Sequence, residues 1–211
     1  MQPQQSTLSI MGNLPVTHPI SEEFESPDEQ QERDLIERCQ NGDAQAMEAI
    51  VHQYQTQVYN SAYGMLGNRE DAQDLVQEVF LRVWEKIGQF QFKSRFSTWL
   101  YRIVMNQCIN EKNRRKRHKT VPMEMDDTQS WTPVHFATPE REALLAEKRE
   151  LLEIALGQLK EDYRTVLVLR EMEDLSYEEL AEVLNCSLGR VKSRLHEARM
   201  ALRQILKRLD R

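Results

Sequence analysis

The chain has 211 residues, 40% of them hydrophobic and 29% charged, with a formal charge of -6; this suits a soluble globular protein of one or two domains. No apolar run approaches the roughly 18 residues of a bilayer span, and the first residues lack the basic start and apolar stretch of a secretion signal, so no membrane insertion and a cytoplasmic location are expected. Cys39, Cys108 and Cys186 stand far apart without a CxxC, the five histidines have no metal-ligand spacing, and no GxxxxGK or GxGxxG occurs, which argues against zinc, a disulfide framework or a nucleotide cradle.

Residues 1–27 contain Pro15, Pro19 and Pro27 and no apolar periodicity, and the first 32 residues hold six acids and no Lys or Arg; a disordered acidic tail is expected there. Helical patterns follow. A segment from about Glu29 to Gln40 breaks at Asn41-Gly42-Asp43, and Asp43 is placed to cap a long helix to Leu66. After Gly67, Asn68 caps a helix whose residues Leu75, Val76, Val79, Phe80, Val83, Trp84 and Ile87 form one apolar stripe, expected to be core. Its opposite face shows Asp74, Gln77, Glu78, Leu81, Arg82 and Glu85, a mixed set that alone reads as solvated. An aromatic loop, residues 88–96, then leads into a helix from about Ser97 to Arg117. Trp99, Arg102, Asn106, Asn110, Asn113 and Arg117 share one side of that helix within about 80°, along about 27 Å. An indole to stack on, amides for base edges and guanidinium groups for phosphate suit an opened single strand better than a closed duplex.

From His118 to Thr138 periodicity stops among Pro122, Pro133, Glu124, Asp126 and Asp127. A flexible acidic linker, residues 119–138, therefore divides a domain at 28–118 from a second at 139–211. Pro139 suits a first helical position, and helices are expected at about 139–157 and 161–172. Ser176-x-x-Glu179 is a capping box for a short helix. Asn185-Cys186-Ser187 turns the chain, and Ser187 caps a final helix to about Leu209. Residues 187–211 carry eight bases against two acids. Two helices joined by such a turn, the second basic, are the helix-turn-helix pattern. Val191, Leu195, Ala198, Leu202 and Ile205 form the inner face, which leaves Arg190, Lys192, Ser193, His196 and Glu197 to enter a major groove. Arg194 and Arg199 flank the core stripe, within reach of phosphate. Nothing alternates with period two, so the expected fold class is all-α, with two helical domains. No carboxylate, His or nucleophile constellation supports catalysis.

The segments Asp71–Phe80 (DAQDLVQEVF), Phe96–Ile103 (FSTWLYRI) and Leu175–Ala181 through Val191–Arg194 resemble extracytoplasmic-function sigma factors of bacterial RNA polymerase, of the sigma-E-like kind. The resemblance covers about residues 33–119 and 139–207. It implies a sigma2 bundle at 28–118, a sigma4 helix-turn-helix domain at 139–211, and core RNA polymerase, through its beta-prime and beta subunits, and promoter DNA as partners. It also implies a factor that directs polymerase to particular promoters, promotes DNA opening, and answers a stress, with an anti-sigma factor as a further possible partner. No metal or cofactor is implied. Core-polymerase contacts are thereby expected at Asp74, Gln77, Glu78 and Leu81. Minus-ten contacts are expected at Phe90, Phe96, Trp99, Arg102, Asn106, Asn110, Asn113, Arg114, Arg115 and Arg117. Minus-thirty-five contacts are expected at Ser187, Arg190, Lys192, Ser193, Arg194, His196, Glu197 and Arg199. Arg190 stands where relatives often have Thr, and Glu197 where many have a base, so promoter sequence cannot be copied from a relative. Two rivals remain: a helix-turn-helix regulator that never binds polymerase, which needs a dimerisation or ligand module, and a nucleic-acid-processing enzyme, which needs a metal-binding cluster.

Overall fold

The computed structural model describes residues 27–118 and 139–209. The tail and linker expectations lie outside them. Among the described residues every regular element is helical: α1 (Pro27–Gln40), α2 (Ala44–Leu66), α3 (Arg69–Lys86), a 3₁₀ turn (Ile87–Gln89), α4 (Phe96–His118), α5 (Pro139–Gln158), α6 (Glu161–Leu167), α7 (Tyr177–Val183) and α8 (Leu188–Leu209).

The ends follow the capping chemistry of the sequence. Asp43 accepts from the backbone N–H groups of Gln45 and Ala46, and Arg38 clamps its carboxylate at 2.7 Å. Asn68 accepts from Asp71 at 3.0 Å. Gly67 closes α2 at φ 70°, a left-handed position that glycine enters without steric cost. The Ser176/Glu179 capping box forms in both directions.

Helix α2 is the axis of the first domain. Ala46, Ile50, Tyr54, Val58, Ala62 and Met65 recur at three- and four-residue spacing and are all buried. Leu75, Val79, Phe80, Val83 and Ile87 of the expected α3 stripe are buried with them. Trp84 is not: it is 39% exposed, because it sits at the edge of the stripe where no neighbouring helix covers it. The aromatic loop folds inward. Phe90 and Phe96 meet edge to face at 5.7 Å, Tyr54 meets Phe96 at 5.4 Å, and Gln40 ties the loop down by donating to the carbonyls of Ile87 and Phe90.

In the second domain Val191, Leu195, Ala198 and Ile205 of α8 are buried, and Leu202 is half-buried. The helix expected to run through residue 172 changes character at Val168–Met172, where its turn widens to a π conformation. That widening lies against α2. A Cβ at Gly64 would come within 3.0 Å of Val168 Cγ2 and 3.1 Å of Met172 Sδ, so the missing side chain is what lets the two domains approach. Just past the π turn Glu173 accepts from Ser61 Oγ at 2.7 Å and from the Tyr101 hydroxyl. Arg164, itself buried, donates to the Met65 carbonyl at 2.8 Å.

Candidate nucleic-acid and polymerase interfaces

Helix α8 turns its apolar stripe to the core and leaves Arg190, Lys192, Ser193, His196 and Glu197 exposed on its first turns. Ser187 Oγ accepts from the Arg190 backbone N–H at 3.4 Å, which starts the helix after Asn185 turns the chain at φ 47°. The two flanking arginines are engaged: Arg194 lies 3.3 Å from Asp162, and Arg199 grips Glu171 at 2.7 Å, which raises its guanidinium pKa. Glu197 accepts from Tyr163 Oη at 2.8 Å and pushes that phenol upward in pKa. Lys160, Asp162, Tyr163, Arg190, Ser193 and Glu197 line a shallow hollow of about 490 Å³ at this end of the helix. Arg190 and Lys192 thus stand ready for phosphate or a guanine edge, whereas Arg194 and Arg199 must first exchange a carboxylate.

On α4 the residues Asn106, Asn110, Asn113 and Arg117 are exposed in a row. Trp99 is half-buried, stacked obliquely between Phe90 at 5.4 Å and Phe96 at 5.6 Å, so it offers one edge rather than a free face. Phe90 and Phe96, expected at the minus-ten element, lie in the core. They are 6% and 1% exposed, and their hydrophobic surface is spent on the core that holds Trp99. The loop instead exposes Gln91, Lys93 and Arg95, residues that aromatic spacing does not single out. Phe92, at φ 55°, holds a conformation that a bulky residue rarely adopts, with the Arg33 guanidinium 4.5 Å above its ring. Arg115 is bound to Asp71 and to Glu111. Arg114 chelates Glu111 at 2.7 and 2.9 Å and holds that carboxyl below its ordinary pKa. Arg102 reaches the second domain, donating to the Glu182 carbonyl at 3.0 Å.

On α3, Asp74, Gln77, Glu78 and Leu81 are all exposed, Leu81 to 66%. Arg82 pairs with Glu85 at 2.8 Å and leaves Glu78 outside that pair. Trp84, one turn from Leu81, extends this surface. An exposed leucine and tryptophan among carboxylates and an amide form a patch suited to another protein.

Two family models match, "Sigma-70 region 2" over residues 50–118 and "Sigma-70, region 4" over residues 149–202. The RNA polymerase sigma-H factor of Pseudomonas aeruginosa is 35% identical, covering 87% of this chain and 97% of its own. The ECF RNA polymerase sigma factor SigW of Bacillus subtilis is 35% identical over 82% of this chain and 96% of its own. The chain belongs to the ECF sigma factors. This sigma factor binds core RNA polymerase, directs it to particular promoters and takes part in opening them. Its fold is shared with CnrH, solved with the cytosolic domain of CnrY (TM-score 0.61, 24% identity, 83% of this chain and 97% of that one). It is also shared with the sigma factor RpoE of Bartonella quintana, solved with the anti-sigma factor NepR (TM-score 0.62, 23% identity, 76% and 96%). Among the described residues no group of three His, Cys, Asp or Glu is placed to hold a metal, and no helix is long and apolar enough to cross a membrane.

Proposed function

We propose that this sigma factor divides its work among three surfaces. The exposed face of α3, Asp74, Gln77, Glu78 and Leu81 with Trp84, grips the polymerase through its beta-prime subunit. The row Trp99, Arg102, Asn106, Asn110, Asn113 and Arg117 on α4, with Lys93 and Arg95 of the preceding loop, takes the opened minus-ten strand. The first turns of α8, led by Arg190, Lys192, Ser193, His196 and Glu197, read the minus-thirty-five duplex. Unstacking a base costs a few kcal/mol, and an indole edge beside three amides offsets that cost by stacking and base-edge hydrogen bonds. The domain boundaries are 28–118 and 139–211. The protein itself is no enzyme, and nucleotide addition belongs to the polymerase. It acts in the cytoplasm, in a stress response and under an anti-sigma factor.

The observation that carries this reading is the α3 face, on which a leucine 66% exposed stands among charged residues. A regulator that bound only DNA would have no use for it. Reconstitution decides: the protein mixed with core polymerase directs transcription from a promoter selected in its presence. DNA binding with no promoter-dependent transcript would instead favour a free-standing regulator.

A further inference from the structure

We infer that Arg33 of α1 is a positioning residue for promoter recognition: it holds the loop before α4 in the shape that presents Gln91 and Lys93 to the opened minus-ten strand. The inference deepens the reading of the α4 face and rests on it.

Helix α1 lies outside the region 2 model, which begins at residue 50, yet it grips that loop at two points. Gln40 Nε2 donates to the carbonyls of Ile87 and Phe90 at 2.9 and 2.8 Å, which fixes the main chain where the loop begins. Arg33, two turns earlier, holds its guanidinium 4.5 Å above the ring of Phe92, within the ~6 Å at which a cation is drawn to an aromatic face. Arg33, Ile36 and Gln40 share one side of α1 along about 10 Å, so a single helix face supplies both holds. Helix α1 is itself seated on α2, with Ile36 buried and Tyr54 donating to Glu32.

Phe92 shows why a hold is needed. At φ 55° it occupies the left-handed region, which a bulky residue enters only at a cost that its surroundings must offset. Here the offset comes from two sides of the ring. Phe90, itself in the core, meets it at 4.9 Å, and Arg33 covers it. The chain bends over residues 92–94, and Gln91 and Lys93, one on each side of Phe92, are exposed. Without the cation above it, the half-buried ring is held less firmly, and the backbone relaxes toward an ordinary φ that turns Gln91 and Lys93 elsewhere. A change of this kind alters which base the loop meets without removing any group that touches the strand. Arg33 also lies 4.0 Å from Glu37, so its charge is shared between a ring and a carboxylate of its own helix.

Substitution at both ends of the contact tests it, with the full-length protein assembled on core polymerase. The probe is the single-stranded minus-ten segment of a promoter selected with wild-type protein, beside a scrambled strand of the same composition. Arg33→Gln should lower the preference for the selected strand at least threefold, while affinity for core, affinity for the scrambled strand and its salt slope stay unchanged. Arg33→Lys, which keeps a cation over the ring, should hold the preference within twofold of wild type. Phe92→Leu should lower it as Arg33→Gln does, and the double variant no further, because both changes break one contact. An unchanged preference in Arg33→Gln overturns the proposal. So does a scrambled-strand affinity that falls with a salt slope smaller by about 0.7, which makes Arg33 a phosphate contact, or a double variant that loses the product of the two single effects. Wild-type holoenzyme with no preference between the two strands would sink the reading of the α4 face instead, a different failure.

Discussion

The most direct consequences fall on single side chains of the exposed faces. Asp74→Ala with Gln77→Ala removes polar groups that touch no core residue, so core-polymerase affinity should fall by about 1–3 kcal/mol, or ~10- to 100-fold, with helicity unchanged. Co-purification with core, read beside circular dichroism, checks both halves. Glu197 is tied to Tyr163, yet it lies on the exposed face proposed to meet the major groove, where a carboxylate would repel phosphate and accept only from a cytosine amino group. Glu197→Arg should therefore tighten DNA binding generally, steepen the salt dependence by about one to two units of slope, and change the preferred base at one minus-thirty-five position. Selection from a randomised library reads the preference, and an unchanged consensus would show that Glu197 only anchors Tyr163. The sequence placed these exposed faces correctly because a helix wheel separates inside from outside. It misjudged Trp84, because periodicity reports direction and not how deeply a neighbour covers a side chain.

At the scale of elements, that same distinction becomes a stability experiment. Phe96 packs on Tyr54, Phe90 and Trp99, so Phe96→Ala should cost about 3–5 kcal/mol. Trp84→Ala, with much of its surface already wet, should cost well under half of that and act mainly on polymerase binding. Urea midpoints of the two variants give the comparison. The helix boundaries were legible because each rests on local chemistry: Asp43, Asn68, Gly67 and the Ser176/Glu179 box are read within four residues of the break they make. The π turn at Val168–Met172 was not, since nothing within its own segment asks for a wider turn. Its partner is Gly64, about a hundred residues earlier in the chain, and local patterning carries no information at that separation.

The whole molecule adds a dependence on acidity. Burial raises the Glu173 carboxyl above its ordinary 4.5, against the lowering effect of the Tyr101 and Ser61 hydrogen bonds, with Asp174 pushing it further up. A raised carboxyl favours the protonated form while the two domains are in contact. Its contribution is therefore complete below the ordinary value and lost as pH rises through the raised one. The domains should draw together on acidification across that window. Energy transfer between dyes on Gln73 and Gln204, followed against pH, should show this in wild type and not in Glu173→Gln. The difference between the two curves separates Glu173 from Glu179 and Glu182, which cross the same boundary. Two domains and their order were evident from the linker, but their contact was not, because it joins residues 112 apart in sequence and each is unremarkable alone.

Gly64 makes the fit between the two domains sensitive to a single carbon. A methyl there would press on Val168 Cγ2 at 3.0 Å and Met172 Sδ at 3.1 Å and loosen the contact between the domains, while the exposed faces of α3, α4 and α8 stayed as they are. How the two halves of this chain fit each other and what their outer faces present are thus set by different residues.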